Sequence, residues 1–170
     1  MEIEIRPFGE IEGVLLHNLS HRLNQILSCN IHINKPLPIP KQAYDNVRKQ
    51  YLADRFIEFL AGLKSDIAYI LGITDVDLFT PGLNFVFGEA SFSYGVAIIS
   101  TFLLSNCDKP SDHILLLDRV TKEAVHEIGH LLGLSHCSNS LCVMHFSNSL
   151  MDTDFKQYFF CNNCQPRLIV

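Results

Sequence analysis

The run His126-Glu127-Ile128-Gly129-His130-Leu131-Leu132-Gly133-Leu134-Ser135-His136 constrains this chain more than any other segment. On an α-helix His126 and His130, four residues apart, share one face, and Glu127 sits one residue further round. If the helix ran on, His136 would lie roughly 15 Å along the axis from His126, at about 1.5 Å per residue. The two could not then share a metal. Gly133 stands where a left-handed, helix-ending residue is needed, and glycine adopts that conformation without a Cβ penalty. The spacing therefore predicts two helical ligands, a glycine turn and a third ligand from a new direction. Three histidines leave one tetrahedral zinc position open, and Glu127 is placed to take a proton from water at the metal.

The motif H-E-x-x-H-x-x-G-x-x-H resembles that of the metzincin zinc peptidases. The residues that follow narrow the likeness: Cys137, Cys142, Met144, then Cys161-Asn162-Asn163-Cys164. With the segment Val76–Ala90 (VDLFTPGLNFVFGEA), they resemble the archaemetzincin family. The resemblance implies an α/β fold of metzincin type. Its mixed sheet would be mostly parallel, with one antiparallel edge strand beside the substrate cleft and an active-site helix beneath. It also implies that Met144 is the methionine of a Met-turn, lying under the metal without binding it. A core methionine filling a gap is physically almost the same reading.

Cys137, Cys142, Cys161 and Cys164 form Cys-x4-Cys and Cys-x-x-Cys pairs, a familiar closed zinc arrangement with a structural role. Two disulfides are the competing reading, and a third has Cys137 entering the histidine site. Two zinc ions per chain are expected, one catalytic and one structural. Cys29 reads as a small buried thiol or, more remotely, a latency thiol, and Cys107 lies in a polar turn. His17, His21, His32 and His113 have no ligand-like spacing.

The chain has 170 residues, 48% of them hydrophobic, enough for a packed core. No apolar run reaches the roughly 18 to 20 residues of a membrane helix. The first residues, MEIEIRPFGE, are acidic where a signal peptide would be basic, so a cytoplasmic location, with thiolates free for metal, is expected. The net charge of −5 and the lack of a basic stripe disfavour nucleic acid as partner. A monomer acting on peptide or protein, without membrane contact, is expected.

Periodicity predicts a strand at Glu2–Pro7, a helix over Val14–Leu27 with a leucine stripe, and a strand at Asn30–Asn34. Pro36, Pro38 and Pro40 interrupt, and a helix is predicted over Asp45–Leu63. Strands follow at Asp66–Thr74, Phe85–Phe87 and Tyr94–Leu104, the last two forming a hairpin across Gly88–Ser93. Part of Gly88–Val96 is the expected edge strand. The metal helix is expected to start at Asp118 or Thr121. One catalytic domain over residues 1–170 is expected, with residues 1–133 as its sheet and helix part. Residues 134–170 would form a small C-terminal part held by the four-cysteine zinc.

The leading reading is thus a zinc metallopeptidase in which Glu127 activates water at a zinc held by His126, His130 and His136. Two rivals stand beside it: a non-catalytic zinc-stabilised binding module, and a zinc hydrolase of small amides. Glu127 weighs against the first, because a metal scaffold needs no base.

Overall fold

Five strands form the main sheet of the computed structural model, which describes residues 1–64, 68–105 and 113–169. They are β1 (Glu2–Pro7), β2 (Asn30–Ile33), β5 (Ala68–Thr74), β7 (Gly88–Ser91) and β8 (Val96–Ser100), in the order β2-β1-β5-β8-β7. β1 pairs parallel with β2 and β5, and β5 pairs parallel with β8. β7 alone runs antiparallel, Glu89 facing Ile98, and closes one edge. A small second sheet joins β3 (Tyr44–Asp45), β4 (Gln50–Leu52) and β6 (Leu78–Phe79).

Alternation along the strands sorts the core into two layers. Ile3, Ile5, Leu71, Ile73, Ala97 and Ile99 face one side, where helices α1 (Gly13–Leu27) and α3 (His113–Leu131) pack. Ile70, Val96 and Ile98 face the other, against α2 (Ala53–Ala61). The result is a three-layer α/β arrangement. Leu16, Leu19 and Leu23 are the buried stripe of α1, and Cys29 is buried just beyond it, where desolvation raises its thiol. A further short helix, α4 (Leu150–Phe155), is capped by Ser149, which accepts from Asp152 N.

Three predicted elements are placed differently. The helix expected over Asp45–Leu63 is confined to Ala53–Ala61. Asp45 Oδ1 accepts from the backbone N–H groups of Val47 (2.8 Å) and Arg48 (2.9 Å), a local turn that competes with the helix. Val47, counted on its apolar face, is 93% exposed. The expected hairpin is shifted: its supposed connection, Gly88–Ser91, is itself β7, and residues 92–95 make the turn. Phe85 and Phe87 instead pair edge to face, ring centroids 5.2 Å apart. α3 begins at His113, before the expected start. Cys107 and residues 66–67 of the predicted third strand lie outside the described residues. No helix is long and apolar enough to cross a membrane, among the described residues.

Candidate active site and metal centres

α3 is buried almost continuously from Arg119 to Gly129, so the motif reaches its last turns already fixed in the core. The helix then stops as the glycine predicts. Gly133 has φ +85°, its N–H donates to His130 O (3.1 Å), and Leu134 N–H reaches back to Gly129 O (3.0 Å). These two bonds are the paired 5→2 and 6→1 closures of a Schellman cap. The chain is turned back, and His136 meets the other two histidines. Its ring centroid lies 5.3 Å from that of His126 and 4.9 Å from that of His130.

Backbone carbonyls set which nitrogen each imidazole presents. His126 Nδ1–H donates to Val143 O and His130 Nδ1–H to Leu134 O, each at 2.7 Å. A carbonyl only accepts, so each Nδ1 carries the proton and each Nε2 presents a lone pair. Those two Nε2 atoms face each other at 3.1 Å. Two acceptors cannot satisfy one another, whereas two ligands about 2.0–2.1 Å from a tetrahedral zinc sit about 3.3 Å apart. One donor atom from each of the three histidines lies within 4.8 Å of the others. Desolvation, then Lys156 and His130, hold His126 well below the ordinary imidazole range; desolvation likewise lowers His130 and His136. All three are therefore neutral near pH 7, the form that binds metal.

Glu127 is 4% exposed and lines the same cleft. Burial, then the neighbouring Glu123 carboxylate, push its proton affinity well up, and Lys156 opposes them. Gly88, the first residue of β7, lies directly over it: a Cβ there would stand 2.7 Å from Glu127 Oε1. Gly129 serves the opposite face of the helix, where a Cβ would run into Met144 Sδ and come within 3.0 Å of Phe160. Met144 is thus packed under the turn between His126 and His130. Gly129→Ala is expected to destabilise the fold by about 1–3 kcal/mol through overpacking, despite a helix-propensity gain of about 1 kcal/mol. Urea unfolding measures the net sign, and a stabilised variant would show that Met144 moves aside freely.

The four cysteines gather as the spacing predicts. The sulfurs of Cys137, Cys142, Cys161 and Cys164 lie within 4.8 Å of one another, and all four are free thiols. Cys137 and Cys161 are 3.8 Å apart at sulfur, matching the separation of about 3.8 Å for thiolates about 2.3 Å from a tetrahedral zinc. Against the cost of desolvation, backbone N–H groups of Asn163 and Cys164 bring Cys161 down to about 6, so a thiolate is available at neutral pH. Cys137 sits in this group, not among the histidines. Neither Cys29 nor His17, His21, His32 or His113 belongs to a potential metal group among the described residues.

The histidines and Glu127 open into a cleft of about 680 Å³. Gly88, Glu89 and Ala90 of β7 form one wall, and His136, Phe146 and Ser147 lie along the other part of its lining. A model of peptidase family M54 matches residues 19–169. The chain belongs to that family. It is a zinc metallopeptidase, a hydrolase acting on peptide or protein. It is 42% identical to the archaemetzincin of Pyrococcus furiosus over 175 residues, 98% of this chain and 91% of that protein. The crystal structure of archaemetzincin from Archaeoglobus fulgidus, complexed with malonate, superposes with TM-score 0.85 at 36% identity, covering 99% and 100% of the two chains. A zinc-dependent peptidase from Methanocorpusculum labreanum superposes at 0.89 with 31% identity, covering 97% and 98%.

Three features of the site carry no mark that the motif reading used. Glu123 stands four residues before Glu127, a spacing visible in the sequence. The carbonyls of Val143 and Leu134, and the contact of Gly88 with Glu127, have no side-chain signal of their own.

Proposed function

We propose that His126, His130 and His136 hold a catalytic zinc and that Glu127 is the general base for peptide-bond hydrolysis. Bound there, zinc supplies a Lewis acid that acidifies water and polarises a carbonyl. Glu127 accepts the proton of the attacking water at its carboxylate and later hands it to the departing amine nitrogen. The observation that carries this reading is the pair of facing Nε2 lone pairs beside a buried carboxylate in one cleft.

The chain's own residues prepare that exchange. Val143 O and Leu134 O fix the tautomer and the aim of two ligands, the usual task of groups behind a metal ligand. Gly88 leaves room for the Glu127 carboxyl under the edge strand. β7 has a strand on one side only, among the described residues, so an extended peptide can add to its free edge through main-chain hydrogen bonds. Cys137, Cys142, Cys161 and Cys164 hold a second, structural zinc, making two per chain, and the whole acts as one catalytic domain with a zinc-held C-terminal part.

The test is a diverse peptide library read by mass spectrometry, with zinc counted in the same samples. Zinc-replete protein is expected to cleave and chelator-stripped protein to lose cleavage, with recovery on zinc addition. Two zinc ions per chain and no cleaved peptide would overturn the peptidase mechanism.

A further inference from the structure

Beneath the site, α3 meets α4 through a buried ionic network. Lys156, just past α4, is fully buried, its Nζ 3.0 Å from Glu123 Oε1. The same Nζ donates to His145 O at 3.3 Å, and Thr153 Oγ1 donates to Glu123 Oε1 at 3.1 Å. Beside them Arg119 clasps both Asp154 oxygens through Nε and Nη2, each at 2.7 Å. Lys122 Nζ donates to Asp154 O at 3.1 Å.

Burying a lysine and a glutamate together is an expensive way to dock two segments. Desolvation offsets most of the attraction, and apolar side chains of similar volume often do as well or better. The position of this pair supplies the reason for it. Glu123 lies one helical turn before Glu127 on the same face of α3, and both line the cleft. His145 follows Met144 in the turn whose Val143 carbonyl orients His126. That turn is laced to the segment leaving His136: Cys137 N–H donates to Met144 O (2.9 Å), and His145 Nδ1–H donates to Cys137 O (3.0 Å). Lys156 Nζ therefore bridges the metal helix and the turn that aims the first ligand and supports the third.

We infer that Lys156 and Glu123 are a positioning pair that fixes the Val143–His145 turn against α3 and so sets the aim of His126 and His136. This rests on the reading of the three histidines as a zinc site. Neither residue belongs to the histidine or the cysteine metal group among the described residues.

The test uses the full chain and zinc affinity, not turnover. Glu123→Gln combined with Lys156→Met removes both charges at nearly constant volume. The double variant is expected to melt within a few degrees of wild type, because a neutral pair removes the buried charges together. Its histidine-site zinc is expected to be held about tenfold to a hundredfold more weakly in competition with a chelator. His130→Ala identifies which zinc is being lost. Wild-type zinc affinity in the double variant would overturn the proposal and leave the pair a packing device. Should the double variant not fold, Thr153→Val keeps both the shape and the ion pair while removing one hydrogen bond to Glu123. A loss of at least about threefold in zinc affinity supports the proposal there, and an unchanged value overturns it. Because no substrate is involved, a wild-type chain that binds two zincs yet cleaves nothing would sink the peptidase mechanism alone. A wild-type chain from which His130→Ala removes no zinc would overturn both.

Discussion

Glu127→Gln is expected to keep two zinc ions per chain and lose about a thousandfold in kcat, the middle of the range for removing a general acid–base group. Glutamine has the shape of glutamate but cannot accept the proton. It fits the slot between Gly88 and the metal helix, where only 4% of Glu127 is exposed. The main-chain contacts proposed for a peptide along β7 do not require this side chain, so KM is expected to change little. A ground-state role would show the reverse, a raised KM at constant kcat. Glu127→Ala is expected to lose turnover as fully, and comparing the two separates the proton from the volume. Steady-state kinetics with metal analysis of the same samples decides the matter. Wild-type turnover in zinc-loaded Glu127→Gln would place the base elsewhere.

How far the sequence anticipates this site depends on how local each feature is. The return of the chain at Gly133 was legible because helix rise and ligand reach admit one solution, and the observed Schellman bonds are that solution. The leucine stripe of α1 and the alternation of β1 were legible for the same reason: each period is written within a few residues. The edge strand was legible within Gly88–Val96, but the hairpin was misplaced, with Gly88–Ser93 given to its connection, because Phe85 and Phe87 look more strand-like than Gly88-Glu89-Ala90-Ser91. Pairing with β8 decides the register, and the two phenylalanines are left to line the cleft. The false first half of α2 turned on one aspartate whose turn bonds outcompete the helix. Lys156 carried no signal, since its partner Glu123 belongs to a helix far back in the chain.

Cys161→Ser is expected to remove one zinc, lower stability by at least about 3 kcal/mol and weaken the other zinc as well. Structural zinc in small domains contributes about 10 kcal/mol or more of binding free energy that is also folding free energy, and a third of that is enough here. For a chain of this size it corresponds to a fall of roughly 6–12 °C in Tm. The effect on the second metal follows from how the cysteine group is wired. Cys137 adjoins His136, Cys142 adjoins Val143, and Cys161 N–H donates to Cys142 Sγ at 3.3 Å. Val143 N–H donates to Phe159 O at 3.0 Å, while its carbonyl orients His126. The segment from His136 to Met144 thus carries one candidate ligand, the carbonyl that aims another and the methionine under Gly129. The cysteines pin it near both ends. Releasing them frees the loop, and the histidine site loses its third ligand's direction and its first ligand's anchor together. His130→Ala, by contrast, is expected to empty the histidine site and leave the cysteine zinc in place, because nothing in the cysteine group hangs on that imidazole. Metal analysis and thermal unfolding of the two variants side by side test this asymmetry. Equal and independent losses of one zinc each, with wild-type chelator resistance of the zinc that remains in Cys161→Ser, would show that the cysteine group holds its own loop and nothing of the active site.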